Sequence, residues 1–185
     1  MEYLNWLIHY YCRLYEQLEI GSMEVILQQS TLGYSVENLI VGNELFRHYR
    51  AKDSGVFDAW NKALMNISGQ CVLFLGLDDI PTKEYLSFLC KQNLAENRVV
   101  VSDHVVTDKI MFFESDAKII YRKKYTFRNE VTGFEFNVPP PSVAFSADIF
   151  KDNKFNSKYK LIGDGIFYGN TPFFNVVPFY CIAVY

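Results

Sequence analysis

The sequence predicts an α/β protein built on a mixed sheet flanked by helices, and three observations predict it. Several segments of the first half carry apolar residues at helical spacing. Short runs of buried-strand composition alternate with them, and a strand–helix–strand–helix order implies parallel pairing with helices on the sheet faces. The second half turns to β-branched and alternating segments, which implies antiparallel, half-exposed strands.

The elements follow in order. Residues 3–20 read as an amphipathic helix, with Leu4, Leu7, Ile8, Tyr11, Leu14, Tyr15 and Leu18 inward and Gly21 as the stop. Met23 to Leu27 is a short buried strand, and Gln28-Gln29-Ser30-Thr31 follows it. A second helix is expected over about 35–47, started by Ser35, with Val36, Leu39, Ile40 and Phe46 inward. A third, over 55–68, turns Val56, Ala59, Trp60, Ala63, Leu64 and Ile67 to the core and ends at Gly69. Asp58, Asn61 and Lys62 stand at i, i+3 and i+4 on its other face. The apolar run 70–76 suits a central strand covered on both faces. Pro81-Thr82 then opens a helix to about Leu94.

Arg98 to Thr107 is a β-branched strand. Lys118 to Arg128 alternates, with Ile120, Arg122, Lys124, Thr126 and Arg128 on one side and Ile119, Tyr121, Tyr125 and Phe127 on the other. A loop with Pro139-Pro140-Pro141, a segment Ser142 to Phe150, a short helix near 163–170 and a last strand over 173–185 complete the chain. Strands near 24–28, 70–76 and 98–106 are expected in one sheet. No internal repeat or linker divides the 185 residues, so a single domain is expected.

Composition narrows the function classes. Half of the residues are hydrophobic and 21% are charged, which excludes a disordered or collagen-like chain. A net charge of −3 provides no global positive field for phosphates, so no nucleic-acid partner is expected. No apolar run is long enough to span a bilayer, and Met1-Glu2-Tyr3 is not the basic start of a signal peptide. Cys12, Cys71, Cys90 and Cys181 are scattered, which reads as reduced buried thiols in a cytoplasmic protein. His9, His48 and His104 form no motif.

The candidate chemistry begins at Leu75-Gly76-Leu77-Asp78-Asp79. Ligands of open α/β sheets bind outside the carboxyl ends of strands, and two carboxylates there suit Mg²⁺ or Mn²⁺ gripping a diphosphate. The alternative is that Asp78 and Asp79 cap the helix beginning near Pro81.

Upstream stands Asp53-Ser54-Gly55-Val56-Phe57-Asp58-Ala59-Trp60-Asn61-Lys62-Ala63, followed by Ser68-Gly69 and Phe74-Leu75-Gly76-Leu77-Asp78-Asp79. This run resembles the inverting family 2 glycosyltransferases of the GT-A fold, of the bacterial polysaccharide type. The likeness is tight over about residues 50–80. Phe155-Asn156-Ser157-Lys158-Tyr159-Lys160-Leu161-Ile162-Gly163-Asp164 is more loosely similar to their acceptor-side segment.

The resemblance implies a GT-A-like domain, with a nucleotide-sugar side over about 1–97 and an acceptor side over about 98–185. It implies transfer of a sugar from a nucleotide-sugar donor to a glycan or lipid-linked acceptor. Asp78 and Asp79 would hold the metal, Asp53, Asp58, Asn61 and Lys62 would meet the donor, and Asp164 would be the catalytic base. Asp148 and Asp152 stand next in line for that role. The family's first strand has no counterpart before the first helix, and its acidic run after the next strand is replaced by Gln28-Gln29-Ser30-Thr31. A shortened chain of this kind would leave an edge beside the 24–28 strand open to a second copy.

Each residue has a plainer reading. Asp53 and Asp58 would complement a helix dipole, Lys62 would be solvated, and Asp164 would cap the helix that follows. The cationic strand 118–128 is either a solvated face or a contact for an acidic glycan, a lipid-linked acceptor or the inner face of a membrane. The whole chain could accordingly be a degenerate, non-catalytic module that keeps the fold for binding or structure. A nucleotidyltransferase would call for a Gly-rich phosphate loop near the first strand, which is missing.

Overall fold

The computed structural model describes residues 2–18, 23–31, 36–94, 99–109, 116, 118–123, 127–128, 135–136, 138–159, 163–170 and 176–184. The expected Gly21 stop, the Ser35 helix start, most of the cationic side chains of 118–128, residues 160–162 and the Cys181 side chain lie outside the described residues.

In chain order the elements are helix α1 (Glu2–Gln17), strand β1 (Val25–Gln29), the short helix α2 (Glu37–Ile40), β2 (Phe46–Arg50), α3 (Val56–Leu64) and β3 (Cys71–Leu73). Then come α4 (Lys83–Cys90), β4 (Val99–Thr107), β5 (Ile119–Lys123), β6 (Phe127–Arg128), β7 (Glu135–Phe136) and a 3-10 turn at Pro140–Ser142. The chain continues with β8 (Val143–Ser146), α5 (Ile149–Asp152), α6 (Gly163–Asn170) and β9 (Val176–Val184). The mixed α/β class holds, with both parallel and antiparallel ladders. None of the described helices is long and apolar enough to cross a membrane.

The chain forms two compact units, residues 1–69 with 153–167, and 70–152 with 168–185. In the first, α1 buries Leu7, Ile8, Tyr11 and Leu14 along one stripe. Tyr15, expected inward, is 41% exposed. β1 pairs in parallel with β2, Val25 opposite Phe46 and Gln29 opposite Arg50. A turn over 41–45 and the start of β2 replace the second half of the helix expected over 35–47. The helix stops after Ile40 because Gly42 takes φ +77, a left-handed conformation that a Cβ disfavours. Asn43 then closes the turn, its Oδ1 accepting from Leu45 N–H at 3.1 Å.

Glu24 ties the start of β1 to the segment after α3. Its Oε1 accepts from the backbone N–H of Ser68 and Gly69 at 2.5 and 3.0 Å, and its Oε2 accepts from Arg47 Nη1 at 2.6 Å. Burial alone would raise the carboxyl pKa, but the Ser68 and Gly69 N–H groups and Arg47 together hold it below the ordinary value. On α3, Phe57 rather than Val56 enters the core, with Val56 47% exposed. The Phe57 ring stacks on Phe155 at 5.7 Å between centroids, and Trp60 meets Phe155 edge-on at 5.2 Å.

In the second unit the central strand is β4. Its run Val99-Val100-Val101 is fully buried. β9 pairs with it in parallel over Val99–Val105, and the opposite edge is shared by two antiparallel partners. These are β8 along Val99–Val101 and β5 along His104–Thr107. The antiparallel pairing expected for the 118–128 segment is therefore present at β5.

β3 corrects the sequence reading twice. Among the described residues it pairs only with β8, antiparallel, and β1 belongs to a separate two-stranded sheet with β2. The three strands expected in one sheet are thus divided. An apolar run reports that a strand is covered, and carries no information on which strand lies beside it.

Successive residues of β4 and β8 serve opposite faces. Val100 and Ala144 pack with Tyr85, Leu89 and Leu94. Phe145 turns the other way, its ring 5.4 Å from Phe150, 6.0 Å from Tyr168 and 6.1 Å from Phe74. Cys12, Cys71 and Cys90 are free thiols, and burial pushes the Cys71 thiol up to about 12, which leaves it protonated and unreactive.

Candidate functional site

The first unit holds the loop before α3. Gly55 occupies the helix N-cap position at φ +134, which a side chain would resist. With no N-cap side chain, the loop is closed from within. Asp58 Oδ2 accepts from Ser54 N–H at 2.8 Å, from Ser54 Oγ at 3.2 Å and from Lys62 Nζ at 2.8 Å. Lys62 Nζ also donates to the Lys52 carbonyl at 2.6 Å, and Asp53 Oδ1 accepts from Gly55 N–H at 3.1 Å. The hydrogen bond from Lys62, followed by that from Ser54 N–H, lowers the Asp58 pKa. Asp58 and Lys62 of α3 thus hold the loop that carries Asp53.

Asn61 faces elsewhere. Its Nδ2 donates to the Phe155 carbonyl at 2.8 Å, and its Oδ1 accepts from the Phe155 N–H at 3.0 Å. The amide thus clasps one backbone residue 94 positions away, as a neighbouring strand would. No local pattern announces such a pairing. Beyond it, Asn156 Oδ1 accepts from Lys158 N–H at 3.1 Å and turns the chain toward Tyr159. Asp164, partly buried, lies in the first turn of α6.

The second unit holds Gly76-Leu77-Asp78-Asp79. Asp79 N–H donates to the Gly76 carbonyl at 3.3 Å, and Gly76 N–H donates to Asp79 Oδ2 at 2.5 Å, which folds the segment into a tight turn. The helix-cap reading of these aspartates is overturned. Thr82 is the N-cap of α4, its Oγ1 accepting from Tyr85 N–H at 3.3 Å.

Both carboxylates converge on one point. A Cβ placed on Gly76 would lie 2.7 Å from Asp78 Oδ1 and 2.9 Å from Asp79 Oδ2. Asp78 is exposed and Asp79 is buried at 9% exposure. Burial, partly offset by the Gly76 N–H and reinforced by Asp78, pushes the Asp79 carboxyl up to about 6. Carboxylate oxygens are the hard donors that divalent cations take. Among the described residues no three His, Cys, Asp or Glu side chains cluster as ligands.

Two expected results follow. Gly76→Ala is expected to push the two carboxylate ends aside at a cost of at most about 1 kcal/mol, measured by urea denaturation; a loss above about 2 kcal/mol would show that the carboxylates cannot move. Asp79 should also give stability a pH dependence. Its carboxyl binds a proton more tightly folded than unfolded, so stability falls as pH rises from about 4 to about 6. Asparagine keeps the acceptor for Gly76 N–H and removes the charge. Asp79→Asn is therefore expected to be the more stable protein at pH 7.5, by at most about 3 kcal/mol, and equal at pH 4. Equal thermal midpoints at both pH values would show that Asp79 is not held in a desolvated place.

Sequence reasoning passed over Glu24 and Gln28. Gln28 stands at the carboxyl end of β1, and its Nε2 is enclosed with no hydrogen-bond partner among the described residues. Nearby, His48 Nε2 lies 3.0 Å from Gln29 Oε1. In comparisons with known proteins, no protein-family model matches this chain, and none of the curated proteins matches it.

Proposed function

We propose that the protein is a metal-dependent glycosyltransferase that moves a sugar from a nucleotide-sugar to a glycan or lipid-linked acceptor with inversion. The observation that carries this reading is the convergence of the Asp78 and Asp79 carboxylates over Gly76. It acquires meaning from the D-S-G-V-F-D-A-W-N-K-A run ahead of it.

Asp78 and Asp79 would hold Mg²⁺ or Mn²⁺, which when bound supplies the positive charge that stabilises a leaving diphosphate. Asp53, half-buried, has one oxygen in the turn and offers the other to the donor, and Asp58 with Lys62 keeps that loop in shape. The enclosed Nε2 of Gln28, at the carboxyl end of a parallel pair and without a partner among the described residues, would supply a donor for a base carbonyl. Asp164 takes the proton from the acceptor hydroxyl. Inversion needs one such base and no covalent intermediate. The chain would work in the cytoplasm, at the inner face of the membrane where the acceptor is lipid-linked.

A second reading has its own support. Asp58, Asn61 and Lys62 all have partners within the protein, as they would in a non-catalytic module that retains the fold. Titration of nucleoside diphosphates with and without Mn²⁺, followed by a screen of sugar-nucleotides for hydrolysis, separates the two. Metal-dependent binding that Asp79→Asn weakens, together with turnover, is the expected result. Nucleotide affinity indifferent to both metal and that substitution would refute the metal role, and binding without turnover would favour the module.

A further inference from the structure

The Asn61 clasp reaches further than the residue it holds. Phe155 is 3% exposed, and its ring lies 4.4 Å from that of Phe167, which is 4% exposed. Phe167 belongs to α6, three residues after Asp164, and residues three apart on a helix are neighbours along its surface. Asn61 thus fixes the backbone of Phe155, Phe155 seats Phe167, and Phe167 seats the helix that carries Asp164. All of these residues belong to the first unit.

From this chain of contacts we infer that Asn61 is a positioning residue for Asp164 and not a ligand of the donor. The inference rests on Asp164 being the base. The orientation of the amide is fixed by chemistry, since the Phe155 N–H can only donate and its carbonyl can only accept. Both polar ends of Asn61 are engaged by that one residue. Alanine removes both hydrogen bonds. Aspartate keeps the acceptor for the N–H and sets a carboxylate oxygen against the Phe155 carbonyl. Once protonated, that oxygen becomes a donor and the two-bond clasp returns.

The experiment combines hydrogen exchange with a double-mutant cycle on the full chain. In Asn61→Ala the α6 amides are expected to exchange at least about 10-fold faster, while those of β4 do not change. Transfer kcat is expected to fall by about 10-fold, with the Kd for nucleoside diphosphate and Mn²⁺ within about twofold of the parent. On an Asp164→Asn background the same substitution should cause no further loss in kcat, because its effect passes through that carboxylate. Asn61→Asp should be impaired at pH 8 and recover toward the parent as pH falls.

Unchanged α6 exchange, a loss that adds fully to that of Asp164→Asn, or a weakened nucleotide Kd with normal kcat would each overturn the inference. The last result would return Asn61 to the donor. If Asn61→Ala does not fold, the pH-dependent recovery of α6 protection in Asn61→Asp decides the question. Absence of transfer by the parent would sink the sugar-transfer reading, and with it the role toward a base. Faster α6 exchange alone would then show only a structural clasp.

Discussion

Asp164→Asn is expected to lower sugar transfer by on the order of 10²-fold or more, the scale of a positioned general base, while nucleoside diphosphate still binds with Mn²⁺. Asparagine matches aspartate in shape and cannot take a proton, so the substitution isolates the chemical role. The plainer reading makes Asp164 a helix-end residue, and it lies in the first turn of α6. A carboxylate there still complements the helix dipole, worth about 0.3–1 kcal/mol, so a small fall in thermal midpoint is expected alongside the kinetic loss. Single-turnover transfer, assayed below that midpoint, keeps the two effects apart. Near-normal transfer would move the base elsewhere. Asp148 already pairs with Lys151 at 2.6 Å, which leaves Asp152 as the next carboxylate to test.

The largest effect on stability is expected from Phe145→Ala. Phe145 is fully buried on β8, opposite Val72 of β3 and Val99 of β4. β8 is therefore the strand through which β3 joins the larger sheet. The ring meets Phe74, Phe150 and Tyr168, and its removal leaves a cavity among side chains that cannot all collapse into it. The expected cost is about 3–5 kcal/mol, a large share of the roughly 5–15 kcal/mol that a domain possesses. Urea denaturation should show the loss, with an intermediate value for Phe145→Leu. A cost under about 1 kcal/mol would mean that the aromatic cluster is not close-packed.

Helices were the readiest elements to read, because their signal is carried within each segment. The stripe Leu7, Ile8, Tyr11 and Leu14 lies within the sixteen residues of α1, and α6 appears over the expected 163–170. β4 was legible for a related reason, since nine residues rich in valine leave few alternatives. The 35–47 segment misled because Val36, Leu39, Ile40 and Phe46 happen to fit a helical period. Gly42-Asn43, a turn signal in its midst, outweighed that period, and β1 supplied the ladder that made Phe46–Arg50 a strand.

The sequence by itself determined the α/β class, most of the helices, the valine-rich strand β4 and the acidic pair after β3. These follow from periodicity and residue chemistry over short spans, where each residue's neighbours are known in advance. The tertiary structure decided that β3 lies beside β8 and that β1 pairs apart with β2. It also decided that Asp79 is desolvated against Gly76, and that Asn61 is spent on Phe155. In each case the outcome depends on which distant groups share one small volume. Hydrogen bonds and desolvation act over a few ångströms of space, and 94 residues of chain separate Asn61 from the backbone it holds.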